Sequence, residues 1–245
     1  ILKDLEWLGI KTEEKIVYQS QNKEKHIKFI DKMIEDGLAY KCYHSEEELN
    51  EKRKTNKKFK SEWRDKKSSK DKSEIFCVRI KSPENGVSII NDQIQGSIKF
   101  NNNEIDDFII KRSDDTPTFL ISSALDDFEM SITDILRGDD HLTNSFRQLE
   151  IFRYLNYEPK FSHMSLIHNE KNQKLSKRDN ILSISDYKKK GFLRESLINY
   201  MLRMGLSFGD NEIITFDEAV EFFSLDKIGK SPSMTDEKKL LFLNN

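Results

Sequence analysis

Residues 135–148 read ILRGDDHLTNSFRQ, and this stretch decides the fold class. The segment leading into it, ITDILR at 132–137, has the short apolar pattern of a strand and runs straight into Arg137. Gly138, Asp139, Asp140 and His141 follow, and a helical pattern then begins at once. Over 143–155 the apolar residues Phe146, Leu149, Phe152 and Leu155 recur at helical spacing, with Thr143 or Asn144 placed to cap the first turn. A strand that ends in a polar turn and passes directly into a helix is the building unit of open α/β sheets. Ligands collect at the carboxyl ends of such strands, where helix N-termini favour anions. Within this unit Arg137 can hold a carboxylate bidentately, while Asp139 and Asp140 can accept from an amine or a ribose, or cap the helix.

Working outward, FSHMSLIHNE at 161–170 reads as a second strand, and KNQKLSKRDN at 171–180 follows it. Lysine is abundant in this chain, so KLSKR by itself is an ordinary solvated turn. Its position soon after RGDDHL gives it a chemical reading: mobile ammonium groups on Lys174 and Lys177 can follow charge as it builds on a leaving polyphosphate. Upstream, residues 22–38 place Ile27, Ile30, Met33, Ile34 and Leu38 on one helical face closed by Gly37, and the SEEE pattern from Ser45 opens a charged helix over 45–60. Between 75 and 112 the period changes to short β-branched runs separated by Pro83, Gly86, Gly96 and an Asn cluster, which is an antiparallel strand group. TFLISSAL at 118–125 reads as a buried segment, and 184–206 and 215–223 read as helical. The pattern predicts an α/β nucleotide-binding domain with an all-β stretch inserted in it.

The 245 residues are 34% charged and 36% hydrophobic, which suits a soluble chain whose core is divided among subdomains. A net charge of −2 argues against coating nucleic acid by bulk attraction. Residues 52–72, KRKTNKKFKSEWRDKKSSKDK, are nonetheless strongly basic and read either as a solvated, mobile loop or as a contact for a phosphate backbone. Two cysteines, Cys42 and Cys77, argue against a disulfide scaffold and suit a reducing, cytoplasmic compartment. No apolar run approaches the roughly 20 residues that span a bilayer. CYH at 42–44 resembles half of a zinc site, but no second Cys/His pair with ligand spacing follows it, so no metal is expected. The opening ILKDLEWLGI is an amphipathic helical pattern ending at Gly9 without an initiating Met, which reads as a piece of a longer protein.

Three stretches in order, RSDDTPTFLISSALDDFEMSITDILRGDDHLTNSFRQLEIF, HMSLIHNEKNQKLSKRD and GFLRESLINYMLRMG, resemble the bacterial-type glutamyl-tRNA synthetases of class I, and the resemblance covers nearly the whole chain. It implies a Rossmann-type catalytic domain with an inserted α+β subdomain. Residues 1–40 would belong to the first half of the catalytic domain, 41–110 to the insertion that handles the tRNA acceptor end, 111–185 to the second half, and 186–245 to a helical stem-contact segment. Lys177 would be the main contact to the ATP phosphates, with Lys174 and Arg178 in the same loop. Leu166 and Ile167 would lie beside the adenine, Asp140 and His141 where ATP approaches, and Arg137 on the side-chain carboxylate of glutamate. The implied substrates are ATP with Mg²⁺, glutamate and tRNA(Glu), with tRNA(Gln) as a further candidate acceptor, and the implied state is a monomer.

The sequence departs from the family pattern in the amino-acid pocket. Phe119 stands where tyrosine is common and Ser123 where asparagine is common, so one polar contact to glutamate is lost. Leaving a buried polar partner unmatched costs about 1–3 kcal/mol. The zinc pattern of some relatives is incomplete. The other class I signature, a His-containing loop, would precede residue 1. Two alternatives follow from the same residues: a relative that glutamylates a modified tRNA base, and a non-catalytic tRNA-binding paralogue or fragment.

Overall fold

The computed structural model describes residues 1–45, 47–49, 51, 59–66, 75–169, 171–175, 183–209 and 211–245. Helix α1 spans Leu2–Trp7 and α2 spans Lys23–Glu35. Gly37 closes α2 with φ +76°, a left-handed turn that glycine adopts without strain. Leu38 does not join the inner face as its spacing suggests; it follows the turn and lies 38% exposed. His26 takes an inner position instead and meets Asp126 at 2.9 Å.

Strands β2 (Cys77–Ile80), β3 (Val87–Asp92), β4 (Gly96–Asn101) and β5 (Ile109–Lys111) make up the antiparallel group expected between 75 and 112, and β1 (Ala39–Cys42), a strand that the sequence reading missed, joins it at β2. They form a sheet in the order β1-β2-β5 and a separate β3–β4 hairpin. Cys42 and Cys77 are register partners across β1 and β2, and both thiols are free. Strand β3 alternates exposed and buried residues, so Ser88, Ile90 and Asp92 face inward. The basic stretch 52–72 lies partly outside the described residues, but its middle is not a solvated loop. Phe59 and Ser61 are buried, and Arg64 bonds the buried Asp107 at 2.7 Å. The helix expected over 45–60 keeps its start, where Ser45 and Glu48 exchange the reciprocal hydrogen bonds of a capping box. It does not reach Phe59 and Lys60, which are not helical.

The segment 118–125 is not merely buried; it is the first part of helix α3 (Phe119–Glu129), which packs Ile121, Ala124 and Leu125 inward. Strand β6 (Asp134–Gly138), helix α4 (Leu142–Tyr154) and strand β7 (Lys160–Met164) then form a βαβ unit with β6 and β7 parallel. Helix α4 starts with no side-chain cap, so neither Thr143 nor Asn144 plays that part. The short strand β8 (Ile167–His168) precedes a tight turn, and helices α5 (Ile184–Lys189), α6 (Arg194–Arg203) and α7 (Phe216–Phe222) follow. The single helix expected over 184–206 is divided in two because Gly191 adopts φ +84°. Strand β9 (Ser233–Met234), parallel to β8, and helix α8 (Glu237–Asn244) complete the order.

The largest core cluster joins α2, the antiparallel sheet, the hairpin and the βαβ unit through Ile30, Met33, Val78, Ile110, Ile121, Phe146 and Phe161. Phe100 of β4 stacks on Phe146 of α4 at 5.0 Å between centroids. Full burial of one such side chain stabilises by about 1.5–3 kcal/mol. A second cluster gathers Leu8, Leu197, Tyr200 and Leu240, so α1 packs with helices from the far end of the chain.

Candidate active site

The polar end of the βαβ unit gathers residues from five elements. Parallel pairing puts Arg137 of β6 directly beside His163 of β7. The Arg137 guanidinium reaches back under the start of α4: Nη2 donates to Ser145 Oγ at 2.5 Å and to Gln148 Oε1 at 3.0 Å, and Nε donates to His163 Nε2 at 3.3 Å. Nη1 has no protein partner among the described residues. The two-pronged carboxylate grip expected from sequence is therefore already half committed, and Nη1 is the donor left for a ligand. Burial pulls the guanidinium below its ordinary value, and the nearby Asp127 pulls it back up.

Gln148 continues the path. Its amide donates to Ser123 Oγ at 2.8 Å and to the Leu120 carbonyl at 3.2 Å, and the Ser123 hydroxyl donates to the Phe119 carbonyl at 2.7 Å. Ser123 is thus held inside helix α3 with its only proton used. Phe119 turns outward, 50% exposed, and its ring meets His141 edge-on at 5.7 Å. The ring is presented to the open side of the site, where a tyrosine would present a hydroxyl.

The turn between β6 and α4 brings Asp140 out toward the second motif. Lys174 Nζ lies 2.7 Å from Asp140 Oδ2, which joins the lysine loop to the strand–helix junction. That hydrogen bond holds the Asp140 carboxyl below the usual carboxylate range. Lys174 is fixed by the turn after β8: Leu175 N–H donates to the Ile167 carbonyl at 2.9 Å, and Asn169 N–H donates to the Gln173 carbonyl at 2.8 Å. Asn172 in this turn has φ +58°, a conformation that asparagine tolerates better than most residues. Leu166 and Ile167, with Met164, Leu175, Met201 and Met204, line an apolar cleft of about 380 Å³ against which Lys174 also lies. Lys177 and Arg178 lie outside the described residues.

Sequence reading missed the groups behind Arg137. Asp92, at the tip of the β3–β4 hairpin, binds His163 Nδ1 at 2.6 Å, and both side chains are fully buried. Ser145 and Gln148 are also buried. Their signal was present: Ser145, Gln148 and Phe152 recur at inner-face spacing on α4, so two polar groups stand where an apolar face should continue. Of the half-site at 42–44, the His44 ring lies near Glu48, Ser61 and Glu62. Among the described residues, no three His, Cys, Asp or Glu side chains gather in a metal-binding group.

A parallel βαβ unit with Lys174 joined to its strand–helix junction has the architecture of an open α/β nucleotide-binding fold. The chain belongs to the family described as tRNA synthetases class I (E and Q), catalytic domain, which matches residues 1–242. Among its curated relatives are glutamate–tRNA ligase 1 of Ehrlichia canis (strain Jake), 45% identical over all of this chain and 54% of the relative, and glutamate–tRNA ligase 1 of Granulibacter bethesdensis, 42% identical over all of this chain and 53% of the relative. A crystal structure of a glutamate tRNA ligase from Elizabethkingia meningosepticum, in complex with its amino acid, superposes with a TM-score of 0.86 and is 25% identical, covering 99% of this chain and 57% of that one. This chain spans about half the length of the curated relatives it matches.

Proposed function

We propose that this chain is the central part of an enzyme that joins glutamate to the 3′ end of tRNA(Glu) through a glutamyl-adenylate. The observation that carries the reading is the Lys174–Asp140 contact, which joins the turn after β8 to the junction beside Arg137. The names of the curated relatives supply the amino acid. In the first step the α-carboxylate oxygen of glutamate bonds to the α-phosphorus of ATP, and the bond from that phosphorus to pyrophosphate breaks. In the second, a terminal ribose hydroxyl of tRNA attacks the acyl carbon, and AMP leaves.

The protein's part is positioning and charge compensation. Arg137 Nη1 receives the side-chain carboxylate of glutamate. The helical turn that leads into α4 and the ammonium group of Lys174 face the phosphates, and the KLSKR motif assigns the same task to Lys177 and Arg178, which lie outside the described residues. His141 and Asp140 border the nucleotide, Leu166 and Ile167 offer an apolar wall to the adenine, and Phe119 and Ser123 shape the amino-acid side. Mg²⁺ would travel with ATP as part of the substrate, held by the phosphate oxygens. Residues 1–40 and 111–185 are the catalytic halves in this reading, 41–110 the acceptor-end insertion and 186–245 the stem-contact segment. The intact enzyme is read as a cytoplasmic monomer.

ATP–pyrophosphate exchange on the intact protein tests this, with tRNA present and with glutamate and glutamine in parallel. Exchange with glutamate alone is the expected result. No exchange with either, while tRNA still binds, would replace the reading with a non-catalytic tRNA-binding paralogue. Charging of tRNA(Glu) and tRNA(Gln) in the same preparation defines the acceptor. Glutamate transfer to tRNA from which the 3′-terminal adenosine has been removed would point instead to attachment on a modified base.

A further inference from the structure

The side chains behind Arg137 form one connected path, and chemistry assigns the direction of every hydrogen bond in it. An arginine only donates, so the 3.3 Å contact from Arg137 Nε requires His163 Nε2 to carry no proton. The ring proton then sits on Nδ1, 2.6 Å from Asp92 Oδ2. Ser145 follows the same polarity: its hydroxyl accepts from Arg137 Nη2 at 2.5 Å and, with Nε2 bare, donates to it at 2.9 Å, the His141 carbonyl at 3.5 Å being a second, longer acceptor. Asp92 is itself held in place, because Oδ1 accepts from Ile94 N–H at 3.0 Å and Gln95 N–H at 2.8 Å, and Oδ2 accepts from His163 N–H at 3.1 Å. The Gln95 amide adds a bond to the His163 carbonyl at 2.9 Å. A ring gripped at its backbone and at Nδ1 has no freedom to turn Nε2 away from the arginine.

We propose that His163, oriented by Asp92 from the tip of the β3–β4 hairpin, is the positioning residue that fixes the Arg137 guanidinium for a substrate carboxylate. The inference rests on the reading of Arg137 given above and extends it to the inserted segment, which then takes part in amino-acid recognition from behind. With Nε, both hydrogens of Nη2 and the ring plane all fixed, Nη1 projects at one point. Remove the acceptor at Nε2 and both Arg137 Nε and the Ser145 hydroxyl lose a partner, so the guanidinium is no longer held in one orientation. A path that served only to dock the hairpin on β7 would cost stability when cut, without singling out the amino acid.

Three substitutions in the intact protein separate these outcomes, with glutamate and ATP varied in turn in pyrophosphate exchange. Asp92→Asn places an amide N–H either against His163 Nδ1 or against the turn N–H groups; in the first case the ring proton is forced to Nε2, where it opposes Arg137. His163→Asn keeps a group near Asp92 but is too short to accept from Arg137. His163→Gln returns an acceptor near the position of Nε2. The expected result is a glutamate KM raised at least tenfold in the first two variants, an ATP KM within twofold of wild type, and substantial recovery in His163→Gln. Folded variants with unchanged glutamate KM, or with glutamate and ATP KM rising together, would overturn the proposal. Wild-type protein that exchanges with neither amino acid would instead remove the parent reading. A measurement on wild-type protein needs no variant to fold: ¹⁵N histidine spectra should show a buried ring protonated at Nδ1 and bare at Nε2, and an Nε2-protonated His163 overturns the assignment.

Discussion

Lys174 and Asp140 meet at the protein surface, with side chains 55% and 38% exposed, and this limits what their ion pair does for the fold. Exposed pairs stabilise by about 0–1 kcal/mol, so Lys174→Ala should leave the melting temperature almost unchanged. Its effect belongs to the reaction: pyrophosphate exchange should slow while glutamate KM stays near wild type. Lys177→Ala should slow adenylate formation further, by roughly tenfold to a thousandfold, or about 1.4–4 kcal/mol in the transition state. An unchanged exchange rate would remove that lysine from the mechanism. His163 sets a pH dependence of the opposite kind, seated in the fold. Burial pushes its imidazole below the ordinary 6.5, against the pull of Asp92; Arg137 adds to the depression and Asp139 opposes it. Because the folded state binds fewer protons than the unfolded chain, this contribution is complete above about pH 6.5 and is lost as the pH falls through the folded value. Burial also pushes Asp92 up, but its N–H bonds from Gln95, His163 and Ile94 outweigh that and hold it below 3.8, so its own contribution fades only at still lower pH. The melting temperature should therefore drop between pH 7 and 5, and thermal melts of His163→Gln should show a shallower drop.

At the scale of elements, the β6–α4 junction has almost no free volume. A Cβ on Gly138 would stand 2.7 Å from Asp140 Oδ1 and 3.0 Å from Leu166 Cδ2, although the backbone φ of −64° suits any residue. Gly138→Ala should therefore push Asp140 off Lys174 and press on the apolar wall. The expected signature is a raised ATP KM with a small change in thermal stability, measured on the same preparation. This junction was legible because its signals are local: a strand pattern, a polar turn and a helical period lie within one short stretch. Helix α3 was only partly legible, since FLISSAL is apolar on every side at its start and shows no polar face from which to read a period. The pairing of Asp92 with His163 was not legible at all. The two are 71 residues apart, and each reads singly as an ordinary polar residue in a strand pattern. The basic stretch at 52–72 misled for a related reason: its lysines dominate the composition, while the anchors Phe59, Ser61 and Arg64 act through residues distant in sequence.

Across the whole molecule, the site depends on the hairpin remaining docked against the βαβ unit. Phe146 is 1% exposed and stacks on Phe100, joining the two bodies. Phe146→Ala should cost about 3–5 kcal/mol, a large share of the roughly 5–15 kcal/mol that ordinary domains possess. Urea unfolding should show a lower midpoint with little change in slope. The other long-range closure is the cluster that brings α1 against α6 and α8 through Leu8, Leu197, Tyr200 and Leu240, reinforced by a hydrogen bond from Ser185 to Asp4. During synthesis α1 leaves the ribosome well ahead of those partners. At roughly 5–20 residues per second, Trp7 and Leu8 wait on the order of ten to fifty seconds for them to emerge. Nascent chains stalled before residue 197 should be cut by protease at Trp7–Leu8, and chains extended past Leu240 should resist there. The Trp7–Leu8 segment, whose apolar partners are made much later, thus spends its early life as an unprotected apolar flag, and chaperone capture during translation should concentrate there.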